Sequence, residues 1–213
     1  MSLRHTYTLI APFYDRVLAA ATRAARAESL VHLAARPPGR VLLAGVGTGL
    51  DLPHLPSQHD YVGIDLTRAM LVRSHRRADQ LRYRAIQGDV HALPFADHSF
   101  DCAVLHLILA VVPDPRRCLD EVLRVVRPGS EILIFDKFLR SGQAAPLRRL
   151  LNPLSRRLAT RLDVVLEDLL EDSGADKIFD EAALAGGWFR RVRLLRRASG
   201  GAAGTAQPAQ PGQ

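Results

Sequence analysis

The stretch Val41-Leu42-Leu43-Ala44-Gly45-Val46-Gly47-Thr48-Gly49 constrains this chain more than any other part of it. An apolar, β-type run ends in three glycines at alternate positions. Glycine reaches the φ/ψ values that a tight strand-to-helix turn requires, and it leaves room where a ligand or a neighbouring backbone must come close. Leu50-Asp51-Leu52-Pro53 is expected to open a helix whose free N–H groups face that ligand. The arrangement is that of a nucleotide-type site at the end of the first strand of a doubly wound sheet. The spacing narrows the ligand. A dinucleotide fingerprint G-x-G-x-x-G would need glycine where Leu50 stands, and a phosphate-cradling loop would need Gly-Lys-Ser/Thr, with no lysine nearby.

Strand and helix signals alternate around this turn. A helix is predicted from about Asp15 to Ala35, ended by Pro37-Pro38-Gly39. Strands are predicted over Arg40–Ala44, Tyr61–Asp65, Arg82–Gln87, Phe100–Leu105 and Glu131–Asp136. One helix is expected after Thr67, read as its N-cap, through Arg76. Another follows Pro115, with Cys118, Leu119, Val122, Leu123 and Val126 on one face and Arg127-Pro128-Gly129 as its stop. Ala144 to Leu170 reads as helical, and Ile178 to Leu195 as two strands around Gly186-Gly187. Such alternation implies an α/β fold with a parallel sheet covered on both faces. At 213 residues the chain has enough sequence for one core, so 1–197 reads as a single domain, with 1–38 as a helical cap. Residues 198–213, rich in Gly, Ala, Pro and Gln, are expected to be disordered.

No run approaches the ~20 apolar residues of a membrane span. The N-terminus carries no apolar signal-peptide core, which points to a cytoplasmic protein. The two cysteines, Cys102 and Cys118, fall on apolar faces and read as free, buried thiols. The histidines show no paired metal-ligand spacing, so no metal is expected. The formal net charge is +7. Lys137, Arg140, Arg148, Arg149, Arg156, Arg157 and Arg161 lie in one stretch without an acid, and these seven cations equal the whole net charge. Leu147, Leu150, Leu151, Leu154 and Leu158 recur at helical spacing there. The 140–170 segment therefore reads as an amphipathic helix with a cationic face, either packed with solvated arginines or drawn to anionic head groups. Aromatic residues for base stacking do not interleave with the arginines, so nucleic acid is not the expected partner.

Asp65 ends the second strand, sixteen residues after Gly49. An acid there either accepts the hydroxyls of a ribose or stabilises the start of the next helix. Asp89, in Gly88-Asp89-Val90 after the third strand, either accepts an adenine amino group, with the Val90 N–H beside it, or caps its own turn.

Taken in order, Val41–Gly49, Gly63-Ile64-Asp65, Gly88-Asp89-Val90-His91-Ala92-Leu93-Pro94-Phe95, Ser99-Phe100-Asp101 and Leu123-Arg124-Val125-Val126-Arg127-Pro128-Gly129 resemble the serial motifs of class I S-adenosylmethionine-dependent methyltransferases. The resemblance covers about Ala11 to Asp136. It implies a Rossmann-like sheet of seven strands, mostly parallel with an antiparallel last strand, and S-adenosyl-L-methionine as cofactor. It also implies that Gly45, Gly47, Thr48, Gly49, Asp65, Leu66, Asp89, Val90 and His106 contact that cofactor. Members usually carry an acid ahead of the first glycine, where this strand ends on Ala44. Tyr7-Thr8-Leu9-Ile10-Ala11-Pro12-Phe13-Tyr14-Asp15 resembles the entry motif of the small-molecule and lipid branch, which includes bacterial phospholipid N-methyltransferases and quinone C-methyltransferases. That resemblance implies a catalytic-site role for Tyr14, and for Tyr7 to a lesser degree. His106, at the end of the fourth strand, is the second catalytic candidate, as a base, a pocket residue or a hydrogen-bonded rim residue. Asp136 and Lys137 end the fifth strand at the ligand edge, where they either face an acceptor or pair locally. The acceptor is expected to be a small molecule or amphiphile, a phospholipid amine first and a quinone second. A non-catalytic cofactor-binding module is the reading that Ala44 leaves open.

Overall fold

The computed structural model describes residues 20–139 and 164–198. Tyr7, Tyr14, most of the basic stretch and the 199–213 tail lie outside the described residues. A helix, α1, occupies residues 20–34. It is followed by β1 (Arg40–Ala44), a single 3-10 turn (Leu52–His54), β2 (Asp60–Asp65), α2 (Arg68–His75), β3 (Arg82–Gln87), β4 (Phe100–His106), α3 (Pro115–Val125) and β5 (Val126–Lys137). A short helix α4 (Leu166–Leu170) leads to β6 (Ala175–Leu184) and β7 (Phe189–Arg196).

The seven strands form one sheet in the order β3-β2-β1-β4-β5-β7-β6. β1 pairs in parallel with both β2 and β4, and only β7 runs antiparallel to its neighbours β5 and β6. The chain reverses its winding between β1 and β4, so a crevice opens beyond the carboxyl ends of these two strands. Period-two alternation sorts the strand side chains onto two faces. Val41, Leu43, Tyr61, Cys102, Val104 and Leu133 pack beneath Leu30 and Leu33 of α1 and Leu71 of α2. Leu42, Ala44, Val62, Ile64, Ala103, Leu105, Ile132 and Ile134 pack against Cys118, Leu119, Val122 and Leu123 of α3 and Leu166 and Leu169 of α4. Both cysteines are free and buried.

α3 begins where Pro115 presets the backbone and the Asp114 side chain accepts from the Arg117 amide at 3.0 Å. Four local expectations change. Of the helix expected over Ala144–Leu170, the described part is helical only over Leu166–Leu170, because Val165 is extended and bridges Leu139. The helix expected from Leu50 is only the turn Leu52–His54, because Leu55 is extended ahead of Pro56, as the residue before a proline prefers. β5 begins at Val126 instead of Glu131, its pairing with β4 shifting register between Phe100 and Cys102. Thr67 does occupy the N-cap of α2 but its side chain caps nothing; the Thr67 amide is satisfied by Asp65 instead.

Candidate cofactor site

The three glycines all carry left-handed backbone, with φ of +68° at Gly45, +55° at Gly47 and +78° at Gly49. Their surroundings differ. A Cβ on Gly45 would collide with Ile108 Cδ1. One on Gly49 would lie 2.7 Å from Leu52 Cδ1 and 3.0 Å from Ser74 Cα, so this glycine lets the loop pack on α2. A Cβ on Gly47 would meet nothing nearer than the Gly45 carbonyl at 4.0 Å. Gly47 alone borders open space, and that bare backbone fits a cofactor that must lie against the loop. The loop is tied to its neighbours by Val46 N–H to the Ile64 carbonyl at 3.0 Å and by the Arg77 guanidinium to the Thr48 carbonyl at 2.6 Å.

Asp65 reaches this loop from the end of β2. Its Oδ2 accepts from the Gly47 amide at 3.0 Å and its Oδ1 from the Thr67 amide at 2.8 Å. Burial raises its carboxyl above the ordinary value, and the two amides pull it back. Leu66 beside it leaves 47% of its surface exposed, an apolar patch at the rim. Asp89 lies exposed after β3 and accepts from both the amide and Nδ1 of His91, at 2.9 and 2.7 Å. The His91 amide, above all, holds its carboxyl below the usual range. The Val90 side chain belongs to the core with Ile64 and Leu93, which leaves only its backbone to a ligand.

His106 sits at the end of β4 with its side chain fully buried. Nδ1 is 2.8 Å from Asp51 Oδ1, Nε2 is 3.0 Å from Ser29 Oγ, and the ring edge meets Phe135. Both ring nitrogens are therefore occupied. Asp51 Oδ1 also accepts from Arg26 at 2.7 Å, and Arg26 Nε donates to Thr22 Oγ1. Burial pushes the Asp51 carboxyl up, but the His106 ring and the Arg26 guanidinium outweigh it and set it far below the ordinary range. Asp136 is buried with its oxygens on backbone amides, and Lys137 lies over the Phe189 ring at 5.5 Å.

The structure thus brings Gly47 and Asp65 into direct contact and places Asp89 just beyond β3 and His106 at the end of β4, with β2 and β1 between those strands. The Arg26–Asp51–His106–Ser29 array was not anticipated. One signal was available: Thr22, Arg26, Ser29, Leu30 and Leu33 share a helical stripe, so a cation sits on the buried face of α1 and demands a partner. Among the described residues, no group of three or more His, Cys, Asp or Glu side chains is placed to hold a metal.

A doubly wound sheet with a bare glycine turn at its switch point and an acid at the tip of β2 defines a nucleotide-cofactor enzyme of the Rossmann-like class. The profile of the family described as "Methyltransferase domain" matches residues 42–134. The chain is 31% identical over 189 residues to a phosphatidylethanolamine N-methyltransferase of Cereibacter sphaeroides, covering 86% of this chain and 93% of that relative. It is 36% identical over 130 residues to a demethylmenaquinone methyltransferase of Renibacterium salmoninarum, covering 59% of this chain and 54% of that one. Among solved structures, an S-adenosylmethionine-dependent methyltransferase from Thermotoga maritima, described as a possible histamine N-methyltransferase, superposes with a TM-score of 0.69 at 19% identity, over 92% of this chain and all of that one. The chain belongs to the S-adenosylmethionine-dependent methyltransferases, and its cofactor is S-adenosylmethionine.

Proposed function

We propose that this methyltransferase acts on an amphiphilic amine, a phospholipid headgroup first of all, and that residues 1–197 form its catalytic domain. The observation that carries the acceptor class is the match at 31% identity along 93% of a phosphatidylethanolamine N-methyltransferase, compared with 54% and 74% of two demethylmenaquinone methyltransferases. S-adenosylmethionine supplies a methyl group on a sulfonium that already leaves readily. The chain therefore needs chiefly to align acceptor and methyl and to keep water out. Gly45, Gly47, Thr48 and Gly49 admit the methionine and ribose portion, and Asp65 receives the ribose hydroxyls. Leu66 covers a face of the adenine, while Asp89 and the Val90 backbone meet its edge. Tyr14 borders the methyl group and acceptor. His106, its buried ring fixed by Asp51 and Ser29, supports the methionine side of the site from the end of β4. An amine acceptor loses its proton without a strong base, which accords with a His106 ring already held at both nitrogens.

The reading is tested by incubating the purified chain with methyl-labelled S-adenosylmethionine and bilayers that contain phosphatidylethanolamine or a demethylated quinone. Label in the phospholipid is expected. Label confined to the quinone overturns the choice of acceptor and leaves the enzyme class standing.

A further inference from the structure

We propose that Asp136 is a positioning residue of the methyl-transfer site: its carboxylate fixes the turn after β4, residues 107–112, and through Ile108 it sets the first glycine of the cofactor loop. The inference rests on the assignment of the glycine loop to the cofactor. Asp136 ends β5 at the ligand edge and is completely buried. Its Oδ2 accepts from the Ala110 amide at 3.1 Å and its Oδ1 from the amide of its neighbour Lys137 at 2.7 Å. The Ala110 amide of the turn is thus tied to a carboxylate on the adjacent strand. The turn needs such a tie. Leu107 has φ of +57°, a left-handed conformation that a leucine adopts at a cost, and its amide is held by the Phe135 carbonyl at 2.8 Å. Val111 and Val112 then close back onto the Ile108 carbonyl. Ile108 points from this turn against Gly45, where a Cβ would strike it. The path from Asp136 to the cofactor loop is therefore continuous: carboxylate, turn amide, Ile108, Gly45.

The charge state of Asp136 bears on that path. Burial pushes its carboxyl up to about 6, against the pull of the Lys137 and Ala110 amides and the Lys137 ammonium. The groups facing it from the surrounding elements are few. Lys137 follows on its own strand. Cys118 on α3 keeps a thiol pushed up to about 12, chiefly by burial and then by Asp136. Arg190, paired opposite on β7, is held by Asp180 and Glu167. A protonated carboxyl carries a hydrogen on one oxygen, and that neutral oxygen is a weaker acceptor for the amide that faces it. The tie to the turn then weakens, and with it the support of the glycine loop through Ile108.

The test is calorimetric binding of S-adenosylhomocysteine to the full chain between pH 5 and pH 8, for the wild type, Asp136→Asn and Ile108→Ala. Wild-type affinity is expected to fall about tenfold between pH 7 and pH 5. Asp136→Asn is expected to bind about tenfold more weakly already at pH 7 and to lack that step. Ile108→Ala, which removes the link to Gly45, is expected to weaken binding severalfold and to serve if Asp136→Asn does not fold. A wild-type profile flat from pH 7 to pH 5 overturns the proposal. So does Asp136→Asn with wild-type affinity or an unaltered step, since the titration then belongs to Asp65, and so does Ile108→Ala binding as the wild type does. Asp65→Ala separates the two levels of inference. If it binds undiminished, or if the wild type ignores this compound, the cofactor assignment fails and takes Asp136 with it. If Asp65→Ala loses binding while Asp136→Asn does not, only Asp136 fails.

Discussion

At Gly47 the backbone sits at φ +55° with open space where a side chain would go. Gly129, inside β5, has a similar φ of +77° and would likewise have nothing within 4 Å of an added Cβ, yet it lies away from the cofactor loop. The pair forms an internal control. Alanine at either position pays the left-handed backbone penalty of about 1–2 kcal/mol. Only Gly47→Ala also places a methyl group in the space assigned to the cofactor. Thermal melts are expected to show comparable destabilisation for Gly47→Ala and Gly129→Ala. Calorimetry with S-adenosylhomocysteine is expected to show a loss of at least tenfold for Gly47→Ala alone. Equal affinities would mean that the open side of Gly47 faces solvent and nothing else. Asp65→Ala belongs to the same scale. It removes the partner of the Gly47 amide together with the acceptor proposed for the ribose hydroxyls, and its affinity loss should exceed that of Gly47→Ala.

Among the elements, α1 is joined to the loop after β1 and to the end of β4 by charge as well as by Leu30 and Leu33. Arg26 and Asp51 are both buried, and each is the other's compensation. Breaking a buried pair from one side strands the remaining charge, at a cost of about 3–5 kcal/mol, whereas removing both charges costs much less. Arg26→Met is therefore expected to lower stability in denaturant titrations by that amount, and the double variant Arg26→Met/Asp51→Asn to recover a large part of it. Additive losses would deny the coupling. The sign of the pH dependence follows from the depressed Asp51 carboxyl. Its contribution is present at neutral pH and above its unfolded value near 3.8, and it disappears as pH falls below that value toward the folded one. Arg26→Met should consequently narrow the stability gap to wild type in strong acid. This array also marks where local reading of the sequence ran out. The apolar runs of β1, β2 and β4 and the stripe of α3 are encoded within a few residues, and those elements fall where their patterns place them, except that Val126, expected on the helix face, opens β5. Asp51 is different, because its partners lie 25 and 55 residues away in sequence. With no local sign of them, it reads as the opening of a helix that Pro56 in fact prevents from forming. The left-handed turn at Leu107 is hidden for the same reason, since the Phe135 carbonyl that holds it comes from another strand.

For the whole molecule, the order β3-β2-β1-β4-β5-β7-β6 brings Gly47, Asp65, Asp89, His106 and Asp136 to one edge of the sheet, each at or just beyond the end of a strand. That convergence was legible from the serial motifs, because a parallel sheet places all its strand-to-helix turns on the same side. The basic stretch begins at that edge too: Lys137 ends β5, and Arg140, Arg148, Arg149, Arg156, Arg157 and Arg161 follow in sequence. Among the described residues no helix is long and apolar enough to cross a membrane. We propose that these cations draw the chain to a lipid acceptor. Each Lys or Arg near an anionic surface contributes about 1 kcal/mol, an attraction that reaches only about a Debye length, ~10 Å at 0.1 M salt and ~3 Å at 1 M. In flotation assays at low salt the protein is expected to bind vesicles with 30% anionic phospholipid at least tenfold more strongly than wholly zwitterionic ones, and to leave them at 1 M salt. Replacing Arg148, Arg149, Arg156 and Arg157 by glutamine should abolish the preference while S-adenosylhomocysteine affinity stays the same, because the glycine loop and Asp65 are untouched. Equal binding to both kinds of vesicle would leave the arginines as solvated surface and remove the membrane from the account of how the acceptor is reached.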